Sequence, residues 1–114
     1  MTAAKMLLNE LGIGANYKGF RRAALAVKLV QEDENWLCHV TELYSEVAKA
    51  ESCTWYAVEH SIRTIIDCAW NRSGDRLSEI AGYKLNAPPS AAEFLAILYN
   101  YVARRQMALA DVAE

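Results

Sequence analysis

The side chains best suited to recognising another molecule recur at helical spacing in the second half of the chain. These are Tyr56, His60, Arg63 and Thr64. Residues three and four positions apart project from one side of a helix, so the set predicts a polar helical face. On such a face Arg63 can donate two hydrogen bonds to O6 and N7 of a guanine, and His60 and Thr64 can also reach base edges. If this helix enters the major groove of duplex DNA, these are the side chains that would read the bases.

An ion pair on the helix surface is the alternative role for Arg63. Glu59 and Asp67 lie four residues before and after it, within reach of a guanidinium on the same helix. Both interpretations of Arg63 stay open at this point.

The sequence carries no pattern typical of catalysis or metal binding. His39 and His60 have no acid or cysteine at ligand spacing except Cys38, which cannot share a helical face with His39. The three cysteines form no C-x-x-C pair, so we expect reduced thiols. Nucleophile elbows, phosphate loops and paired carboxylates are also missing from the sequence. We therefore expect a protein that is not an enzyme and that needs no metal or cofactor.

A long helix from Thr54 to about Arg72 must position the polar face. Its apolar residues fall within one narrow arc on another side, which we expect to face the core; they are Val58, Ile62, Ile65 and Ala69. A shorter helix precedes it, with Leu43 among its inward residues, and a tight turn over 51–53 joins the two. A short helix, a turn and a longer helix with a polar outer face is typical of the helix-turn-helix, here over about residues 43–72. Helical hairpins in ordinary bundles share the pattern and remain an alternative.

Apolar stripes elsewhere predict further helices, and no segment has the alternation of a strand. One helix should begin near the N-terminus, another near Asn16 or Tyr17, and the last after a capping box formed by Ser90 and Glu93. Between them we predict one turn of helix around Trp36 and a short helix ended by Gly82.

Length and composition complete the fold prediction. A chain of 114 residues with 54% hydrophobic residues can bury one core. We therefore predict an all-α single domain over 1–114, with about six helices and a tail, 107–114, that frays. Uninterrupted apolar runs are too short to cross a membrane and the N-terminus lacks a signal peptide, so we expect a cytoplasmic protein.

Cationic side chains concentrate near the N-terminus, although the net charge is −2. Lys18, Arg21 and Arg22 lie largely off the apolar stripe of the second helix. They are candidates for contacts with DNA phosphates, and a solvated basic face is the equally weighted alternative. Residues 32–43 carry acids and no base, so the sign of the surface changes along the chain.

Nearly the whole chain, about residues 4–105, is similar to one known family. Residues identical to the family pattern are scattered along it in the same order and with the same spacing. They are Leu11-Gly12-Ile13, Lys18-Gly19-Phe20, Leu43-Tyr44, Val47-Ala48-Lys49, Val58-Glu59, Ile62-Arg63, Ala69-Trp70 with Arg72, Gly82-Tyr83 and Glu93-Phe94. The chain resembles the C-terminal DNA-binding effector domain of the stage-zero sporulation response regulator, a transcription factor of endospore-forming bacteria. The resemblance implies six helices, binding to a short duplex as tandem or dimeric copies, and contact with RNA polymerase. By position, Glu59 and Arg63 match residues of the family's recognition helix.

Several positions depart from the family pattern. Ala57, His60 and Thr64 stand where the pattern has arginine, arginine and histidine, and Glu51 replaces an apolar residue before the turn. Two fewer cations weaken both base reading and phosphate attraction, so the family's target sequence does not transfer. The receiver domain that carries the phosphorylated aspartate in that family is also expected to be missing, which implies an isolated piece or a free-standing relative.

Two functions follow as hypotheses. The first is a sequence-specific duplex-DNA-binding transcriptional regulator with the helix from Thr54 to Arg72 in the major groove. The second is a protein-interaction or dimerisation module that kept the fold and lost specific DNA reading. It is motivated by Ala57, by His60 and by an excess of acids over bases between Tyr44 and Arg76.

Overall fold

A computed structural model of the protein describes residues 2–113, with side chains described as far as residue 108. Within this range the chain forms five α-helices and one short 3-10 helix, and it contains no strand. The α-helices are α1 (Ala3–Glu10), α2 (Lys18–Glu32), α3 (Val40–Glu51), α4 (Trp55–Ala81) and α5 (Ala91–Ala113), and the 3-10 helix spans Glu34–Cys38. The all-helical fold class is confirmed. The fraying proposed for 107–114 stays a prediction, because most of those side chains lie outside the described residues.

The central helix is α4, which packs against α2, α3 and α5. The apolar arc predicted for this helix is buried, and it meets the apolar stripes of the neighbouring helices in one core. Among the fully buried side chains are Leu7, Val27, Leu43, Ile62, Ile65 and Phe94. The opposite side of α4 is thereby left at the surface.

The long helix α4 runs further than the sequence predicts. We expected one helix to end near Arg72 and a second to follow Ser73-Gly74, whereas one helix continues to Ala81 with a kink at Ser73 (φ −148°, ψ 41°). Leu77 is fully buried beyond the kink, so burial keeps the second half helical. The Ser73-Gly74 pair therefore bends the helix and does not end it. The helix ends at Gly82, which takes a positive φ.

Half of the predicted capping box forms at the start of α5. The hydroxyl of Ser90 accepts a hydrogen bond from the backbone N–H of Glu93 at 3.2 Å, as predicted. The carboxylate of Glu93, however, accepts a hydrogen bond of 2.7 Å from the hydroxyl of Tyr83. The loop before α5 thus provides a partner that the local motif did not predict.

We predict that Gly19→Ala destabilises the domain, because α2 and α4 cross at this glycine. A Cβ placed there would lie 2.3 Å from the carbonyl oxygen of Ser61 and 2.9 Å from the side chain of Ile65. Relieving that overlap requires the helices to separate, at a cost of about 1–3 kcal/mol. Gly74→Ala is the matched control, since its Cβ would meet Trp70 at an ordinary 3.8 Å. Urea denaturation of both variants checks this; equal stabilities would contradict the close crossing.

Candidate nucleic-acid interface

A turn of three residues, 52–54, joins α3 to α4. Ser52 takes the left-handed conformation (φ 55°, ψ 47°), which ends α3, and the N–H of Cys53 bonds back to the carbonyl of Ala48 at 3.0 Å. The hydroxyl of Thr54 then accepts a hydrogen bond of 3.3 Å from the N–H of Ala57 and caps α4. The turn of the helix-turn-helix predicted over 43–72 is therefore held by local hydrogen bonds, one within the backbone and one to the Thr54 side chain.

The predicted polar face of α4 lies at the surface. Tyr56, His60, Arg63 and Thr64 are all exposed, and Glu59 is half-exposed at the edge of the face. Beside them, a groove lined by His60, Arg63, Thr64, Ile66, Asp67 and Pro89 separates the face from the loop before α5. The five predicted residues of α4 thus form one continuous face.

Arg63 makes the ion pair that the sequence left as an alternative. Its Nε lies 3.4 Å from a carboxylate oxygen of Glu59, and the Arg63 side chain remains 62% exposed. Exposed pairs of this kind contribute only about 0.3–0.5 kcal/mol, so the pair holds Arg63 weakly. Beneath the pair, burial and the charge of Glu59 raise the pKa of Tyr44 to about 12, which keeps its phenol protonated. The hydroxyl of Thr64 donates to the carbonyl of His60 at 3.1 Å and retains accepting capacity.

The two arginines of α2 do not behave alike. Arg21 binds Glu51 with two hydrogen bonds, of 2.8 and 2.9 Å, and its side chain stays 62% exposed. Arg22 is buried, and its guanidinium contacts Glu51 at 3.2 Å, the carbonyl of Ala57 at 3.3 Å and the hydroxyl of Ser61 at 3.2 Å. Arg22 therefore links α2 to the end of α3 and the start of α4 through hydrogen bonds. Because it is buried, its side chain is not accessible to a DNA phosphate in this structure.

Lys18 remains as an exposed cation beside α4. It is the first residue of α2 and adjoins Gly19, which packs against the backbone of Ser61 on α4. Its ammonium group makes no ion pair among the residues that the structure describes. Of the three predicted basic residues, Lys18 and Arg21 thus reach solvent, and Arg22 does not.

We predict an acid-sensitive contribution to stability from Glu51. Hydrogen bonds from Arg21, and then from Arg22, hold the pKa of Glu51 below its ordinary value of 4.5, although burial opposes them. A depressed pKa stabilises the fold above the unfolded-state pKa, and this stabilisation is lost as the pH falls through the folded-state pKa. Thermal melts of wild type and Glu51→Gln from pH 7 to pH 3 test this. The difference between the two proteins should shrink below about pH 4.5; a constant difference would contradict it.

Two features of the site escaped the sequence analysis. The partners of Glu51 come from α2, about thirty residues away in sequence, and the acid at a usually apolar position was the available signal. Trp55, which is exposed at the start of α4, was also not singled out. Trp55 lies seven residues before the buried Ile62, in line with the apolar arc, so helical periodicity carried no sign of its exposure.

Other kinds of site are not formed by the described residues. No group of three or more His, Cys, Asp or Glu side chains is arranged to hold a metal ion within 2–108. Across the same described part, no helix combines the length and the apolar character needed to span a membrane. Cys38, Cys53 and Cys68 are free thiols.

The helices and the exposed face define the class of helix-turn-helix domains. Residues 4–102 match the family described as sporulation initiation factor Spo0A C terminal, and the chain belongs to that family. Its members are DNA-binding effector domains of a sporulation regulator, a transcription factor and not a catalytic protein. The resemblance noted in the sequence is thereby confirmed.

Proposed function

We propose that the protein is a sequence-specific duplex-DNA-binding transcriptional regulator that places the first half of α4 in the major groove. The observation that carries this proposal is the exposure of Tyr56, His60, Arg63 and Thr64 together on the helix that follows the turn. A recognition helix in such folds contacts base edges with its N-terminal residues. Family membership supports the same partner.

Within this proposal the residues have different roles. Arg63 leaves Glu59 and donates to a guanine, while His60 and Thr64 contact adjacent base edges. Lys18 and Arg21 contact phosphates, with Arg21 exchanging the carboxylate of Glu51 for a phosphate oxygen. Contact with RNA polymerase and pairing of two copies on DNA stay predictions.

A second candidate is a protein-interaction module that keeps the fold without specific DNA reading. The specific observation in its favour is the charge of the α4 face, where Arg63 is accompanied by two carboxylates, Glu59 and the exposed Asp67. Such a face repels phosphates more than a recognition helix with several arginines does. Binding measurements separate the two candidates.

The test is selection of duplexes from a randomised library by the full chain, followed by polarisation titrations at several salt concentrations. We expect a selected duplex to bind with an affinity that falls as salt rises, at about one unit of log–log slope for each phosphate contact. A duplex of scrambled sequence should bind more weakly with a similar salt dependence. Absence of any salt-sensitive duplex binding, together with self-association in sedimentation experiments, would favour the second candidate.

A further inference from the structure

Two large aromatic side chains lie exposed at the start of α4. Trp55 and Tyr56 are its first two residues, and 44% and 63% of their surfaces are accessible. Their rings meet edge to face with centroids 5.8 Å apart. Aromatic rings this large bury most of their surface in a typical fold, and adjacent exposed rings are characteristic of contact points for a partner.

The position of the pair determines what it can touch. Tyr56 precedes His60 by four residues and Arg63 by seven, so it continues the same exposed face toward the helix N-terminus. Trp55 lies about 100° around the helix from Tyr56, beyond Glu59 and in line with the buried Ile62, and it is exposed because it is the first residue of the helix. In a recognition helix the N-terminal residues contact base edges.

The side chains at the start of α4 favour contact with thymine. Arg63 is the arginine on the exposed face, while Ala57 is half-buried and faces Arg22. Guanine reading by arginine is therefore concentrated at one position. In the major groove, thymine presents a C5-methyl group, and apolar side chains recognise it by packing against it. The Trp55 and Tyr56 rings supply apolar surface of this kind.

We propose, on the basis of the function proposed above, that the Trp55–Tyr56 pair reads thymine by packing against its methyl group. Seven residues of α-helix separate Tyr56 from Arg63, about 10 Å along the axis. For a helix lying along the groove this corresponds to about three base pairs at the spacing of B-DNA. The recognised element then contains an A·T pair about three base pairs from the guanine that Arg63 contacts.

The test replaces each thymine of a selected duplex, one at a time, with deoxyuridine. This removes the methyl group and leaves the base-pair hydrogen bonds unchanged. For the wild-type chain we expect one or two positions at which the affinity falls about fourfold, the effect of one buried methyl group. Trp55→Ala and Tyr56→Ala should bind the thymine and deoxyuridine duplexes equally at those positions, and Tyr56→Phe should keep the difference.

The possible results separate this inference from the function on which it rests. If wild type binds a selected duplex and no thymine responds to the replacement, or if both alanine variants keep the response, thymine reading is wrong and DNA binding stands. If no duplex is selected, both proposals fail. If the alanine variants keep the response and instead lose self-association in sedimentation, the aromatic pair contacts a second protein, which overturns thymine reading. Circular dichroism of the variants controls for folding, which we expect to be intact because both side chains are exposed.

Discussion

Replacing Glu51 with alanine is expected to destabilise the domain by about 2–3 kcal/mol, the cost of leaving a buried charge without its partner. The Arg22 side chain is 9% exposed, and Glu51 is its counter-charge. In the variant, Arg22 would keep neutral acceptors, the carbonyl of Ala57 and the hydroxyl of Ser61. These cannot balance a guanidinium that is shielded from water. Urea denaturation at pH 7 measures the loss.

Two further variants make the interpretation of Glu51→Ala specific. Arg21→Ala is the matched control, because Arg21 shares the same carboxylate but is largely exposed, and we expect it to destabilise the domain much less than Glu51→Ala. Combining Glu51→Leu with Arg22→Met replaces the buried pair by apolar side chains and should recover most of the stability. Equal losses in Glu51→Ala and Arg21→Ala would show that the pairing with Arg22 contributes little.

Replacing Arg63 with alanine is expected to weaken binding to the selected duplex by about 1–3 kcal/mol, or roughly 5-fold to 150-fold in Kd. The reason is the loss of two hydrogen bonds to a guanine, so discrimination at one base pair should relax at the same time. Lys18→Ala should instead weaken binding to all duplexes alike and lower the salt slope by about one. Polarisation titrations against the selected duplex and its single-base variants measure both effects.

A second cation on the same helix provides the control for Arg63. Arg76 lies beyond the kink, in the second half of α4, and pairs with Glu10 and Glu79. Arg76→Ala removes the same charge, and we expect an unchanged Kd and unchanged base preference. If Arg63→Ala behaves like Arg76→Ala, the α4 face does not read bases. Glu59→Gln should strengthen binding, because it releases Arg63 and removes a negative charge from the face.

The sequence alone determined the features that depend on neighbours within one or two helical turns. Apolar spacing predicted that Val58 and Ile62 turn inward, and the same periodicity predicted that His60 and Arg63 turn outward. The cap at Thr54 was predictable because it depends on a side chain and a backbone N–H three residues apart. The family resemblance was predictable because the matching residues keep their order and spacing.

The tertiary structure alone decided which cations remain available for a partner. Arg21 and Arg22 are adjacent in sequence and were predicted to act alike, yet Arg22 is buried against Glu51 and Arg21 is exposed. The difference arises because α2 crosses α4 closely at Gly19, which turns Arg22 toward the Ala57 and Ser61 positions of α4. Pairing across about thirty residues depends on how helices cross, and helical periodicity carries no information about that crossing. The continuation of α4 past Ser73 was decided in the same way, by the burial of residues beyond the kink.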